Sequence, residues 1–254
     1  MERLENLKNI IRYLMADKHV SHRIPSSQEE RQRMMRALMN VWEPKEMSAD
    51  FLTMQDAELQ QQAEDKGVVT VEEKRLSIWQ GDITRLKVDA IVNAANAQGL
   101  GCWAPLHNCI DNCIHSAAGI QLRKECNDQL QGRLLKTGKA MTTKGYNLPA
   151  GHVIHTVGPI VPQGALPTKE QEEQLASCYH SCLDIADSNH LESIAFCCIS
   201  TGVFNFPNLR AAEIAIATVK EWVAVHQASS ITQVVFNVFL DKDCDIYKQL
   251  IIDN

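Results

Sequence analysis

Apolar residues recur at helical spacing through the first part of the chain and at strand-like spacing after it. Leu4, Leu7, Ile10, Ile11 and Leu14 fall at intervals of three and four, which predicts an amphipathic helix. Ser26 and Glu29 form a capping box for a second helix, with Met34, Met35, Leu38 and Met39 as its apolar face. Ser48 caps a third that runs toward Gly67. The methionine-rich face reads as core packing, with a partner surface as the alternative. From Val68 the character changes. Short β-prone runs at Val68–Val71 and Arg75–Gln80 precede a nearly continuous apolar run, Ala90–Ala95, of the kind buried on both sides in a parallel sheet. Lys139–Tyr146 and His152–Val157 form a strand pair across a turn that contains Pro149 and Gly151. Thr168–Ser188 is then predicted helical, Ser193–Ile199 a strand, Leu209–His226 a helix, Gln233–Leu240 a strand and Asp243–Ile252 a helix. Such alternation predicts a mostly parallel sheet covered on both faces, an α/β unit over residues 67–254 behind a helical unit over 1–66.

Composition narrows the possible functions. The 254 residues, 45% of them hydrophobic, suffice for one substantial core and a small second unit. A net charge of −6 gives no global field that favours nucleic acid, so an anionic ligand would be held locally, by backbone N–H groups or a helix N-terminus. Charges interrupt the first residues too often for a signal peptide, and no apolar run approaches the roughly 20 residues of a membrane helix. Nine cysteines, mostly inside helix and strand patterns, favour a reducing compartment over a disulfide framework. A cytoplasmic monomer without nucleic-acid or membrane partners is expected.

The densest chemistry follows the Ala90–Ala95 run. Asn93 and Asn96 bracket small alanines, Gly99 and Gly101 permit close approach of backbone to a ligand, and a helix opens near Pro105 and closes at Gly119. In an open α/β sheet, ligands bind at such strand ends. Cys102, His107 and Cys109 lie within eight residues, a pattern suited to a three-ligand zinc site with an open fourth position, although small core cysteines and a locally bonded histidine would look the same. Convergence sets a condition: in a helix starting at Pro105, His107 and Cys109 point to different sides, so the metal reading requires a start near Asn108. Otherwise Cys102 would be left with His107 and Asp111. A second loop, Ser200-Thr201-Gly202-Val203-Phe204, also follows a strand and offers consecutive N–H groups to a diphosphate, or serves as a simple turn.

GDIT (81–84), VDAIVNAAN (88–96), IDNCIHSAAG (110–119), ISTGVFNFP (199–207) and NVFLDKDCDIYKQL (237–250) occur in the order seen in the macrodomain family of ADP-ribose-binding modules, which the chain resembles over roughly residues 75–254. Most macrodomains carry a run of glycines between this strand and helix. The segment Gly99 to Cys109 departs from that run and resembles the zinc-dependent bacterial branch, protein-ADP-ribose hydrolases that hold zinc through Cys, His and Cys behind a helical N-terminal extension. The resemblance implies a macrodomain-like three-layer α/β/α sandwich with a mixed, mostly parallel sheet. It implies Zn2+ held by Cys102, His107 and Cys109, with ADP-ribose and mono-ADP-ribosylated protein as ligand and substrate. Asp82 and the Ile83 backbone would then read adenine, and Phe239 would pack on it. Gly101 and Ser200, Thr201, Gly202, Val203 and Phe204 would line the diphosphate and ribose. Asn96 and Asp111 would be the catalytic pair at the distal ribose. From the residues alone, Asp82 reads equally as a turn-forming aspartate, Phe239 as a core aromatic and Asp111 as a helix-start carboxylate. His115, four residues after Asp111, is placed to orient it or to support a metal ligand, Asn93 to hold the strand end, and Trp103 to lid the loop.

Three rival functions share parts of this pattern. Gly99 to Ala104 satisfies a G-x-G-x-x-A dinucleotide fingerprint, which would make the chain an NAD-dependent oxidoreductase. A non-catalytic ADP-ribose reader would keep the nucleotide contacts without needing the Cys-His-Cys trio. A zinc nucleoside deaminase would need H-x-E and P-C-x-x-C, which the chain lacks.

Overall fold

The computed structural model describes residues 2–72 and 74–252, so Met1, Asp253 and Asn254 at the outer ends of the two expected units lie outside the described residues. Three helices come first: α1 (Glu2–Asp17), α2 (Gln28–Asn40) and α3 (Ala49–Lys66). The predicted stripe of α1 is its buried face, with Leu7, Ile10, Ile11 and Leu14 fully enclosed. Ser27, one residue later than expected, caps α2 by accepting from the Glu30 N–H, while Ser48 caps α3 through the Phe51 N–H and Gly67 ends it. Met35 and Met39 are buried, and Tyr13, Trp42 and Phe51 stack beside them, the Tyr13 and Phe51 centroids 4.3 Å apart. The methionine face is therefore core.

The α/β unit follows, with β1 (Leu76–Gln80), a 3₁₀ turn (Ile83–Arg85), β2 (Ala90–Ala94), α4 (Ile110–Ala118), α5 (Ile120–Leu130), β3 (Ala140–Lys144) and β4 (His152–Thr156). It is completed by α6 (Lys169–Ser188), β5 (Ser193–Phe196), α7 (Asn208–Val225), β6 (Gln233–Val238) and α8 (Asp241–Ile252). The strands form one sheet in the order β1-β6-β5-β2-β4-β3, parallel throughout except for the β3–β4 pair. Helices flank it, α6, α7 and α8 packing together and α4 and α5 lying against β2 and β3. Alternation along β4 separates the faces: His155 meets Cys126 of α5, and its neighbour Thr156 meets Cys178 of α6. The expected strand at Val68–Val71 is reduced to a single bridge between Val69 and Leu86. Helix α5 was not foreseen. Its sequence, IQLRKECNDQL, is mostly polar, and one of its buried residues is an arginine, so the apolar stripe that announces a helix is thin.

That arginine joins the two units. Arg123 is 3% exposed and donates through Nη1 to the carbonyls of Trp42 (2.7 Å), Asn40 (2.9 Å) and Met39 (3.4 Å), and through Nε to Leu100 (2.6 Å). Carbonyls at the end of α2 have no partner within their own helix, and the helix dipole adds to their pull on a cation. Gln55 of α3, fully buried, does the converse by accepting from the Ile120 N–H at the start of α5. Arg123→Met keeps the volume and strands these carbonyls, so it should cost about 2–4 kcal/mol, read as a lower urea midpoint; an unchanged midpoint would show that the joint is held elsewhere.

A second polar feature crosses the interior. Asn93 Nδ2 donates to Nδ1 of His155 (3.1 Å), and the neutral ring passes its Nε2–H to Thr143 Oγ1 (3.0 Å), linking β2, β4 and β3. Burial holds His155 down at about 3. A histidine in the unfolded chain titrates at about 6.5, so between these values the unfolded state binds the extra proton. The contribution to stability is intact above about pH 6.5 and is lost as pH falls toward about 3. His155→Leu should flatten the dependence of the urea midpoint on pH across that window, and an unaltered slope would place the proton uptake on other groups.

Candidate functional site at the sheet switch point

Crossovers leaving β2 and β5 run in opposite directions along the sheet, β2 leading on to β4 and β5 to β6, although β2 and β5 are neighbours. The loops after them therefore part, and the crevice between them is where open α/β sheets take ligands. Residues 95–109 form one wall and 197–207 the other.

On the β2 side the backbone turns sharply at Gly101, whose φ is +80° and where a Cβ would lie 2.8 Å from the His115 ring, so only glycine fits. Leu106 also adopts a left-handed conformation, φ 60°, at a cost of roughly 1–2 kcal/mol for a residue with a side chain. Helix α4 starts at Ile110, not near Pro105, with the Cys109 Sγ accepting from the Asn112 N–H at 3.4 Å. The delay has a cause: buried Asn112 donates Nδ2 to the carbonyls of Ala104 (2.9 Å) and Cys102 (3.5 Å), which holds the segment as a loop. This late start also removes the dinucleotide alternative, because no helix opens inside Gly99–Ala104 to meet a pyrophosphate.

Freed from a helix, Cys102, His107 and Cys109 converge, their ligand atoms all within 4.8 Å of one another and Cys102 Sγ 3.6 Å from His107 Nδ1. Tetrahedral coordination with bonds of about 2.1–2.3 Å separates neighbouring ligand atoms by about 3.5–3.8 Å, so the trio is already close to that arrangement. Two sulfurs and an imidazole suit a borderline-soft cation. Burial pushes the Cys109 thiol up to about 12, against the pull of the Asn112 N–H and with the Cys102 thiol adding to the rise. Without a cation, this thiol stays protonated at neutral pH.

Asp111 stands in the first turn of α4, 4% exposed. Asn93 Nδ2 donates to its Oδ1 at 2.7 Å, and Asn96 Nδ2 reaches its Oδ2 at 3.4 Å and the Gly101 carbonyl at 3.2 Å. Burial raises Asp111 to about 6, against the Asn93 hydrogen bond and the Arg123 charge. His115 was expected to orient this carboxylate. Its Nε2 lies 3.5 Å from Oδ1, but among the described residues neither ring nitrogen makes a hydrogen bond, and the orienting contact belongs to Asn93. Trp103 does not lid the loop freely but stacks on the Arg123 guanidinium, 4.0 Å from its ring centre.

Across the crevice, Ser200 takes φ 66°, the Phe206 N–H returns to its carbonyl at 3.0 Å, and Thr201 Oγ1 donates to the Cys198 carbonyl. Gly202 and Val203 are exposed, Phe204 is half-buried, and Ser200 Oγ is enclosed without a hydrogen-bond partner among the described residues. Asp82 and Phe239 sit farther along the same sheet edge. The tip of β1 is tied to β6 by the Gly81 N–H to the Val238 carbonyl and by Asn237 to the Gly81 carbonyl, so these two residues flank one junction. Ile83 is buried beneath it, while Phe239 is 71% exposed and is not a core aromatic. Asp82 caps the 3₁₀ turn, Oδ1 accepting from Thr84 N–H and Oγ1 and Oδ2 from Lys66 at 3.3 Å. Burial works against its ionisation, but Thr84 and Lys66 outweigh it and hold the carboxyl below its usual range. Three strand spacings, about 14 Å, separate β1 from β2, so the predicted residues are spread along the edge of the sheet and not gathered at a point.

Comparison with known proteins identifies the family. The Macro domain family model matches residues 92–215. A protein-ADP-ribose hydrolase of Treponema medium is 46% identical over 95% of this chain and 96% of its own length, and one from Staphylococcus aureus strain MSSA476 is 45% identical over 98% and 97%. Among solved structures, a Trypanosoma brucei macrodomain in complex with ADP-ribose superposes with a TM-score of 0.66 at 28% identity, covering 89% of this chain and 97% of that one. An Oceanobacillus iheyensis macrodomain with ADP gives 0.62 at 38% identity, covering 72% and 95%. With near full-length likeness at this identity, and with the strand order and edge loops described above, the chain belongs to the macrodomain family.

Proposed function

We propose that the protein is a zinc-dependent protein-ADP-ribose hydrolase that removes single ADP-ribose units from modified protein side chains. The observation that carries the reading is the convergence of the Cys102, His107 and Cys109 donor atoms on the loop that leaves β2 at the switch point of the sheet. Near full-length likeness to curated protein-ADP-ribose hydrolases supports the reaction class.

The sheet edge divides into tasks. At its outer end Asp82 Oδ2 exchanges Lys66 for the exocyclic amine of adenine, the Ile83 N–H reads the neighbouring ring nitrogen, and Phe239 covers the base, an exposed aromatic put to use. In the middle, backbone N–H groups of Gly101 and of the Ser200–Phe204 turn take the diphosphate, which a chain of net charge −6 must bind by local dipoles. At the inner end Asn96 positions the distal ribose. Zinc on Cys102, His107 and Cys109 would supply Lewis-acid polarisation of an oxygen at its open position. Asn93 fixes Oδ1 of Asp111 and Asn96 reaches Oδ2, which takes a proton from the incoming water and returns it to the departing side-chain atom as its bond to the ribose breaks. Ligand thiols must stay reduced, which fits the cytoplasm, and all nine cysteines are free.

Two substitutions separate the tasks. Cys102→Ala should abolish both zinc content and release of ADP-ribose from a modified substrate while ADP-ribose affinity changes only a few-fold; full hydrolysis by this variant would discard the metal's part in the reaction. Asp82→Ala should weaken ADP-ribose binding by about 1.5–3 kcal/mol, roughly 10- to 100-fold, with kcat little altered. A loss confined to kcat would contradict the adenine assignment. Mass spectrometry of a panel modified on Asp, Glu, Arg or Ser would identify the linkage, and a panel left wholly intact by metal-loaded protein would favour a reader.

A further inference from the structure

Helix α4 holds the loop that carries the trio at Cys102, Ala104 and Cys109, which leaves the stretch around Leu106 and His107 to be restrained from elsewhere. Helix α2 of the N-terminal extension provides it. Arg36 and Asn40, one turn apart on the same face, both reach the loop. Arg36 Nη2 donates to the His107 carbonyl at 2.8 Å and to Asn112 Oδ1 at 2.9 Å, with Nε 3.3 Å from the same oxygen. Asn40, 2% exposed, accepts the Leu106 N–H at 2.9 Å through Oδ1 and donates Nδ2 to Ser116 Oγ at 2.9 Å. Asn112, which Arg36 grips, is the residue whose amide holds the carbonyls of Cys102 and Ala104. The contacts to the His107 carbonyl and the Leu106 N–H fall at and next to a candidate ligand, the second of them on the residue in the left-handed conformation, while those to Asn112 and Ser116 tie the helix that follows the loop to the extension.

We propose that the N-terminal extension is part of the metal centre, with Arg36 and Asn40 as positioning residues that hold the loop from Cys102 to Cys109 in its ligand geometry before the ion arrives. This rests on the zinc reading above. A loop with freely moving ligands loses conformational freedom when it binds, whereas one already fixed does not, so the clamp appears as metal affinity. Neither residue hydrogen-bonds to Asp82, Phe239 or the Ser200–Phe204 turn; Arg36 shares with Lys66, Asp82 and Thr84 the lining of a cavity, as does Arg33, so the Arg33 variant also controls for any effect through that cavity on ADP-ribose affinity.

The test uses the full chain, with Zn2+ affinity measured by chelator competition and Co2+ absorption as a probe of ligand geometry. Arg36→Met and Asn40→Ala should each weaken Zn2+ binding about 10-fold or more and alter the Co2+ spectrum, the size seen when residues that support metal ligands are removed. Affinity for ADP-ribose in metal-free protein should stay within a few-fold, which a general loss of structure would not allow. Arg36 is half-buried and carries the test should the Asn40 variant fail to fold. Arg33→Met, an exposed arginine on the same helix without a bond to the loop, controls for lost charge. Wild-type affinity and spectrum in Arg36→Met, or an equal loss in Arg33→Met, would overturn the proposal. A wild-type protein that binds neither metal would instead remove the metal centre itself, and this inference with it.

Discussion

One buried guanidinium sets the relation between the two parts of this chain. Arg123 leaves α5 of the α/β unit, closes the open carbonyl end of α2, grips Leu100 at the base of the ligand loop and carries Trp103 on its face. A charge this deeply enclosed is stable only while its acceptors remain in place. Extension, loop and α5 are therefore fixed relative to one another by a common requirement. The division of the sequence into a helical segment and an α/β segment describes composition, while the hydrogen bonds treat them as one body.

The site itself follows from sheet topology. Because crossovers from β2 and β5 diverge, the sheet opens at one place on its edge, and the loops there need not cover a hydrophobic layer. They carry instead the conformations that packed elements avoid: left-handed Leu106, Ser200 and Asn205, and Gly101 against the His115 ring. Behind this edge Asn93, Asp111 and His155 form a polar patch within the otherwise largely apolar core of the α/β unit.

Most of the fold was legible in the hydrophobic pattern, because the buried strands read as continuous apolar runs and the amphipathic helices kept their period. Gly119 marked the end of α4 and Ser48 the start of α3 as their chemistry requires. The failures share a cause. Helix α5 and the clamp on the loop are held by polar side chains, namely Arg123, Arg36 and Asn40, whose partners across the two units are distant in sequence, while the start of α4 at Ile110 meets the condition that the metal reading set. A buried arginine or asparagine looks the same on the page as a solvated one. The Cys-His-Cys spacing marked where a cation would go, but not what keeps the three side chains together. The four-residue interval does bring His115 within 3.5 Å of Asp111, but strand β2 brings Asn93 closer, and the hydrogen bond to the carboxylate is made there.

Ile120 closes the hydrophobic cluster formed by the N-terminal helices, packed in the same layer as Leu7, Ile10, Trp42 and Phe51. During synthesis those helices emerge before the α/β unit, and the residue that seals them arrives more than fifty positions after α3 has ended. Their apolar faces must wait, partly uncovered, until the fifth helix has been made. Completing this cluster is consequently a late, long-range step, and truncation before that helix would leave the apolar surface under Ile120 uncovered.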